Sequence, residues 1–267
     1  MENLREKAKN IKIIFFDIDD TLRAKDTAFM PESVAMAFEK LRQNGILTGI
    51  ATGRNLYGVI PEVRALKPDF YVTANGAYVE DKNENIIYDQ HYNTDFVEKQ
   101  IEWLKSVNSD YVFYGNHAVA ISKWTDLAQS ALEPVYGEIP EDPDFYKKNS
   151  VYQLVSISDH DDQIKLPEKF ADEVRMVRWH PNSSDILPRI GSKAIGVEKV
   201  LESLGLMAEN LMNFGDELND RELFDFSGLS VAMKVSHPEI LEKADYVTDT
   251  VENDGIYKAL IELGIIE

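Results

Sequence analysis

Ile11–Phe16 reads Ile-Lys-Ile-Ile-Phe-Phe, and Asp17-Ile18-Asp19-Asp20 follows it directly. A nearly continuous apolar run of this length is typical of a strand buried on both faces of a parallel sheet. Aspartates after a strand often serve only as turn or helix-cap residues. A buried strand rarely ends in paired acids without a partner for their charge, so we interpret Asp17 and Asp19 as functional residues.

The segments that follow alternate between strand and helix patterns. Apolar residues at helical spacing begin after Pro31 and stop at Gly45, and a second strand is predicted at Ile46–Ala51. A third strand is predicted at Phe70–Thr73, and a further one at Leu211–Phe214 after another helical segment. This alternation predicts an α/β protein with a Rossmann-like, doubly wound parallel sheet as its core.

The middle of the chain has a different pattern. Between residues 83 and 188, strands are predicted at Ala118–Ser122, Tyr152–Ser158 and Val174–Trp179, with helix-like segments such as Thr94–Val107 and Asp126–Leu132 around them. We interpret this region as an inserted α+β domain, and residues 1–82 and 189–267 as the two parts of the core. A chain of 267 residues is long enough for both domains.

The charge of the chain limits its partners. Its 28 basic and 47 acidic residues give a net charge of −19, and an acidic surface repels nucleic acid and anionic membranes. We therefore expect neither as a partner. Cysteine is absent, which excludes thiolate metal sites. The polar segment Met1–Asn10 lacks the apolar stretch of a secretory signal, which favours a cytoplasmic protein.

Three predicted strands end in polar side chains at one edge of the sheet. Asp17 and Asp19 follow the first strand, Thr52 follows the second, and Asp216 follows Leu211–Phe214. The carboxyl ends of parallel strands meet, and open parallel sheets bind ligands there. Carboxylates held together need a cation or protons, and hard oxygen ligands without cysteine favour Mg²⁺.

Four short motifs, in order along the chain, resemble those of the haloacid dehalogenase superfamily. They span nearly the whole sequence, and the C-terminal segment from Ala244 to Gly255 is similar to that of the Cof-type branch. The first motif departs from the usual pattern at Asp20, where the family commonly has glycine. The motifs are Asp17-Ile18-Asp19-Asp20-Thr21-Leu22, Thr52-Gly53-Arg54, Lys193 in Gly191-Ser192-Lys193, and Gly215-Asp216-Glu217-Leu218-Asn219-Asp220.

The resemblance implies a magnesium-dependent phosphatase that works through an aspartyl-phosphate intermediate. Asp17 would attack phosphorus, and Asp19 would act as general acid and then as general base. Lys193 and Thr52 would hold the phosphoryl oxygens. The implied metal ligands are Asp17, the backbone carbonyl of Asp19, and Asp216, with Asn219 and Asp220 orienting the ligands from behind.

The position of the insertion, between the second and third motifs, implies a large α/β cap that selects a small phosphorylated metabolite such as a sugar phosphate. Two alternatives stay open. The first is a phosphotransferase or phosphomutase with the same chemistry, and the second is a non-enzymatic regulator that binds a phosphorylated metabolite. The sequence leaves the oligomeric state open. The candidate substrate contacts are Gly53, Arg54, Asn75, Arg178 and His180.

Overall fold

The computed structural model describes the backbone of residues 1–267 and all side chains except those of 134–136. The first part of the chain contains α1 (Glu2–Ala8), β1 (Ile13–Phe16), α2 (Glu32–Gln43), β2 (Leu47–Ala51), α3 (Pro61–Ala65), β3 (Phe70–Thr73), β4 (Tyr78–Asp81) and β5 (Ile86–Asp89). The middle contains α4 (Thr94–Ser106), β6 (Asp110–Tyr114), β7 (Val119–Ile121), α5 (Asp126–Tyr136), β8 (Gln153–Ile157), β9 (Val174–His180) and β10 (Ser183–Pro188). The last part contains α6 (Lys193–Leu204), β11 (Leu211–Gly215), α7 (Arg221–Phe226), β12 (Leu229–Ala232), α8 (Pro238–Lys243), β13 (Tyr246–Val247) and α9 (Gly255–Glu262).

The chain forms two compact units. The first unit comprises residues 1–53, 59–89 and 192–267, and the second comprises residues 54–58 and 90–191. The predicted boundaries at 82/83 and 188/189 lie a few residues before the division seen here. The difference at the first boundary arises because β5 pairs with β4 and so extends the first unit to residue 89.

The first unit contains an eight-stranded sheet in the order β13-β12-β11-β1-β2-β3-β4-β5. The strands from β13 to β3 are parallel, and β4 and β5 continue the sheet antiparallel. β1 lies between β11 and β2, so its carboxyl end is flanked by the carboxyl ends of two parallel neighbours. The predicted fold class, a Rossmann-like parallel core with a separate α+β domain, is confirmed.

Both faces of β1 are buried, as its unbroken apolar sequence predicts. Ile13 and Phe15 belong to a cluster with Val197, Val200 and Leu201 of α6. The opposite face carries Phe16, whose ring lies 4.9 Å from Phe38 of α2 and 5.1 Å from Phe214 of β11. Helices therefore cover the sheet on two sides, because a strand without a polar face is stable only when both faces are covered.

The second unit contains a five-stranded antiparallel sheet in the order β7-β6-β8-β10-β9. One face packs on α4 through residues such as Leu104 and Leu154, and the other packs on α5 through residues such as Leu132 and Val155. The strands predicted at Ala118–Ser122, Tyr152–Ser158 and Val174–Trp179 correspond to β7, β8 and β9, whereas β6 and β10 were not predicted. β10 reads Ser-Ser-Asp-Ile-Leu-Pro, in which polar residues obscure the strand pattern.

Among the helices of the described chain, none has both the length and the apolar composition needed to cross a bilayer.

Asp185 of β10 is a carboxyl group of the second unit whose pKa is raised in the folded protein. Burial raises the pKa of Asp185 to about 7, although hydrogen bonds from the side chains of Trp179 and Gln153 lower it. The indole Nε1 of Trp179 donates to Asp185 Oδ1 at 2.9 Å. The folded state therefore binds a proton that the unfolded chain has already released above pH 3.8.

We expect the free energy of unfolding of the unmodified protein to fall as the pH rises from 4 through about 7. In Asp185→Asn, which stays neutral, this fall should be smaller by about 1–2 kcal/mol. Urea unfolding at several pH values measures the difference. Asp172→Asn, an exposed acid of the same unit, is the control. Parallel pH profiles for the unmodified protein and Asp185→Asn would contradict the assignment.

Candidate active site

Three carboxylates converge at the carboxyl end of the parallel strands. Asp17 follows β1, and Asp216 follows β11, which pairs with β1 in a register that sets Phe16 beside Phe214. The backbone N–H of Asp17 donates to the carbonyl of Phe214 at 3.1 Å. Carboxylate oxygens of Asp17, Asp216 and Asp220 lie within 4.8 Å of one another, and all three residues are buried.

Lys193 connects two of these carboxylates. Its Nζ lies 3.0 Å from Asp17 Oδ1 and 2.7 Å from Asp220 Oδ1, and its side chain is 0% exposed. Lys193 is the first residue of α6, where the Ser192 side chain caps the helix. A positive charge at a helix N-terminus opposes the helix dipole. The two carboxylates offset that effect and hold the ammonium group in place.

Asp220 and Thr21 orient the groups around the cluster. Asp220 Oδ2 accepts from the backbone N–H groups of Asp216 and Glu217, at 3.1 and 3.3 Å. The hydroxyl of Thr21 donates to Asp216 Oδ1 at 2.6 Å. Thr21 belongs to the first motif, but no role was predicted for it from the sequence. Its hydroxyl, four residues after Asp17, was the available signal.

The carboxylates carry more negative charge than Lys193 can balance. Burial raises the pKa of Asp17 to about 7; Lys193 lowers it and Asp220 raises it. Burial and then the charge of Asp17 raise the pKa of Asp216 to about 8. Burial alone would lower the pKa of Lys193, but Asp17 and Asp220 raise it, so the lysine stays protonated.

The donor set fits a divalent cation. Three carboxylates face one lysine ammonium in a buried cluster, and burial is the main cause of the raised pKa values of Asp17 and Asp216. A hard cation with oxygen ligands would remove this imbalance, and the chemistry of the oxygen donors suits Mg²⁺. Asp17 and Asp216 were predicted as metal ligands, and Asp220 is the third carboxylate of the cluster.

The turn after Asp17 explains the departure from glycine at Asp20. Asp20 has a φ of 55°, in the left-handed region that glycine adopts most easily. Its backbone N–H donates to the carbonyl of Arg23 at 2.7 Å, and its Oδ1 accepts from the Lys25 N–H at 2.8 Å. Aspartate tolerates this conformation because its side chain can bond to the nearby backbone. Asp19 forms an isolated bridge with Arg23 in the same turn.

The second motif lies beside the fourth. Asn219 Nδ2 donates to Asn75 Oδ1 at 3.1 Å. A Cβ atom on Gly53 would lie 3.1 Å from that same oxygen and 3.4 Å from Asn219 Nδ2. Thr52, before Gly53, is buried, and its carbonyl accepts from the Asn75 N–H at 3.1 Å. The first unit therefore brings together Thr52, Gly53, Asn75 and Asn219.

The remaining predicted substrate contacts belong to the second unit. Arg54 Nη1 donates to the carbonyl of Gly58 at 2.9 Å. Arg178 Nε lies 3.2 Å from Oδ2 of Asp161, a carboxylate with a fully buried side chain. His180 Nδ1 accepts from the Asn182 N–H at 3.3 Å. Arg178 thus has a structural partner, and substrate contact by these residues stays a prediction.

The parallel core, the separate antiparallel unit and the carboxylate–lysine cluster define a known class of enzymes. The protein-family model of the haloacid dehalogenase-like hydrolases matches residues 14–260 of the sequence, and the chain belongs to this family. Within it, the chain is a Cof-type hydrolase, as the resemblance of its motifs predicted.

Named relatives cover most or all of the chain. A Streptococcus pyogenes protein, "Putative bifunctional phosphatase/peptidyl-prolyl cis-trans isomerase", is 47% identical over 99% of this chain, which spans only 56% of that protein. "Putative phosphatase YkrA" of Bacillus subtilis is 32% identical over 96% of this chain and 99% of its own. The solved structure of the HAD subclass IIB sugar phosphatase BT4131 has a TM-score of 0.77 and 27% identity, covering 96% and 100% of the two chains.

Removing the lysine should destabilise the first unit. Lys193→Met leaves two buried carboxylates without their counter-ion, and we expect the free energy of unfolding to fall by about 3 kcal/mol. Lys199→Met is the matched control on the same helix, because Lys199 makes a partly exposed ion pair with Glu202. That substitution should cost less than about 0.5 kcal/mol. Urea unfolding in a chelating buffer compares the two, and equal losses would show that the Lys193 pairs add nothing.

Proposed function

We propose that the protein is a magnesium-dependent phosphatase that hydrolyses a small phosphomonoester, such as a sugar phosphate, through an aspartyl-phosphate intermediate. The observation that carries this proposal is the buried cluster in which Lys193 contacts Asp17 and Asp220 beside Asp216. A protonated lysine next to a carboxylate suits the transfer of an anionic phosphoryl group. The sugar phosphatase BT4131 and the relatives named as phosphatases support the reaction class.

In the proposed first step, an oxygen of Asp17 attacks phosphorus. A new P–O bond to Asp17 forms while the bond to the leaving oxygen breaks, and Asp19 donates a proton to that oxygen. In the second step Asp19 takes a proton from water while the water oxygen bonds to phosphorus, and the P–O bond to Asp17 breaks, which releases inorganic phosphate and regenerates the Asp17 carboxylate. Division into two steps replaces one high barrier with two lower ones.

The groups around Asp17 would stabilise the charge on the phosphoryl oxygens. Lys193 supplies a fixed positive charge at 3.0 Å from Asp17 Oδ1, and Thr52 supplies a hydroxyl at the end of the adjacent strand. Asp17, the Asp19 carbonyl and Asp216 would hold Mg²⁺. A bound Mg²⁺ would neutralise part of the repulsion between the anionic nucleophile and the anionic substrate.

Asp220 would support the metal site without binding the ion directly. One of its oxygens accepts from Lys193, and the other accepts from two backbone N–H groups. Asp216, in contrast, accepts a side-chain hydrogen bond from Thr21 through Oδ1. We therefore assign Asp216 as a ligand and Asp220 as the residue that orients Lys193 and the Asp216 backbone.

We assign the choice of leaving group to the second unit. The four motifs lie in the first unit apart from Arg54 and Gly191, so they would treat all phosphomonoesters alike. The sugar phosphatase BT4131 supports a sugar phosphate as the substrate. Arg178 and His180 are the proposed contacts. Any Arg178 variant also removes the partner of Asp161, so its unfolding must be measured alongside its substrate preference.

Asp17→Asn should abolish turnover and leave the fold intact, because an amide of nearly the same shape cannot serve as this nucleophile. We expect phosphate release to fall by at least about 10³-fold. The assay is phosphate release from a panel of phosphorylated metabolites with Mg²⁺, together with thermal unfolding. Asp26→Asn, an exposed acid in the following loop, is the control. Residual turnover above about a tenth of the unmodified rate would falsify the role of Asp17.

Chelation should stop turnover, and Mg²⁺ should restore it. Asp216→Ala should raise the Mg²⁺ concentration needed for half-maximal turnover by about 10- to 100-fold, and Asp220→Ala by less. Magnesium titrations of each metal-stripped variant are followed by turnover and by calorimetry. Calorimetry measures the affinity for Mg²⁺ independently of catalysis. Full turnover by metal-stripped protein would end the magnesium proposal.

A further inference from the structure

The turn between β3 and β4 has an unusual backbone. Ala74, Asn75 and Gly76 have φ values of 50°, 51° and 90°, so three consecutive residues lie in the left-handed region. Such a conformation is unfavourable for alanine, and it persists only where the surrounding structure holds it. The contacts of this turn show what holds it.

Asn75 bonds to two of the motifs. Its backbone N–H donates to the carbonyl of Thr52 at 3.1 Å, and its Oδ1 accepts from Asn219 Nδ2 at 3.1 Å. The turn is therefore attached to the end of β2 and to the loop after β11. Both attachments are to residues already assigned to the candidate active site.

Gly76 packs directly on the start of α6, which carries Lys193. A Cβ atom at Gly76 would lie 2.1 Å from the carbonyl oxygen of Ser192 and 3.2 Å from the backbone nitrogen of Gly196. A Cβ atom at Gly196 would in turn lie 2.9 Å from Gly76 Cα. The two glycines thus let the turn and the first turn of the helix meet backbone to backbone, immediately beside Lys193.

We propose that this turn positions Lys193, with Gly76 as the positioning residue. Its backbone acts as a stop that sets how far the N-terminus of α6 approaches the carboxyl ends of the strands. That distance decides where Lys193 Nζ lies relative to Asp17 and Asp220. The inference rests on the proposed function for its kinetic test but not for its structural test, and it adds a residue outside the four motifs.

The size of the effect follows from the geometry. Real Cβ atoms essentially never lie within 3.0 Å of a backbone oxygen, so Gly76→Ala would force the helix start away by about 1 Å. A displacement of about 1 Å at a reacting group can lower the rate about 10²-fold. We expect a loss of that order in kcat/KM for every phosphomonoester, with weaker binding of inorganic phosphate in Mg²⁺-containing buffer.

Gly205→Ala is the matched control. Gly205 ends the same helix with a φ of 67°, and a Cβ atom there would meet nothing within 4 Å. Both substitutions place alanine in a left-handed conformation, so both should lower the melting temperature. Only Gly76→Ala should lower kcat/KM and phosphate affinity, whereas Gly205→Ala should stay within about 3-fold of the unmodified protein.

A double-mutant cycle with Lys193→Met tests the link without any turnover. If Gly76→Ala already displaces Lys193, the two substitutions overlap, and the unfolding constant of the double mutant changes at least about 5-fold less than the product of the single changes. For Gly205→Ala combined with Lys193→Met, the change in the unfolding constant should equal the product of the two single changes. Urea unfolding of the four variants gives both cycles.

The outcomes separate the two proposals. Multiplicative effects for Gly76→Ala with Lys193→Met, or equal kinetic losses in Gly76→Ala and Gly205→Ala, would overturn the positioning role. Absence of turnover in the unmodified protein would overturn the proposed function and leave the positioning role to be decided by the cycle. If Gly76→Ala does not fold, Gly196→Ala replaces it in every measurement, because it presses on the same turn from the helix side.

Discussion

The buried Lys193 ammonium between Asp17 and Asp220 is the interaction on which the first unit depends. It joins residues from three distant parts of the chain, and its side chain has no exposed surface. Buried charges are tolerated only when paired and hydrogen-bonded, so each partner requires the others. The parallel sheet supplies the two strand ends, and α6 supplies the lysine. Any shift of the helix against the sheet would leave carboxylates buried without a counter-ion.

The same constraint accounts for the backbone features around the site. A lysine at the first position of a helix is unfavourable until carboxylates face it. Two glycines, Gly76 and Gly196, allow the close packing that holds the helix start in place. Asp20 accepts a left-handed conformation so that the chain can turn sharply after β1. The strained backbone of these segments therefore persists because the surrounding structure holds the charged groups in fixed positions.

The core and its site could largely be predicted from the sequence, and the reasons are physical. The run before Asp17 is apolar on both faces, which only a covered strand tolerates, and the carboxyl ends of parallel strands meet by geometry. The proposed role of Gly76 could not be predicted, because it depends on a contact between segments far apart in the chain, and for Thr21 the sequence offered only a hydroxyl close to Asp17. β10 was missed because its first three residues are polar, and the sequence does not show that Ser184 donates to Asp161 within the fold.

The second unit was predicted less completely for a related reason. Its antiparallel strands carry the buried serines Ser156 and Ser184, whose hydroxyls donate to the buried carboxylate of Asp161 in the loop after β8. A sequence pattern cannot distinguish such satisfied polar residues from substrate contacts, and Arg178 is an example. It was predicted as a substrate contact because it is a polar residue of the inserted domain, yet its Nε lies 3.2 Å from the Asp161 carboxylate.

The division of the first unit into three chain segments has a consequence for synthesis. When a ribosome has synthesised residues 1–191, the chain contains Asp17, Thr52 and the whole second unit, but neither Lys193 nor Asp216. The nascent core then holds an unpaired carboxylate at the end of β1, beside a position that only β11 can fill. The charged cluster can therefore assemble only after residues 192–220 have been added to the chain.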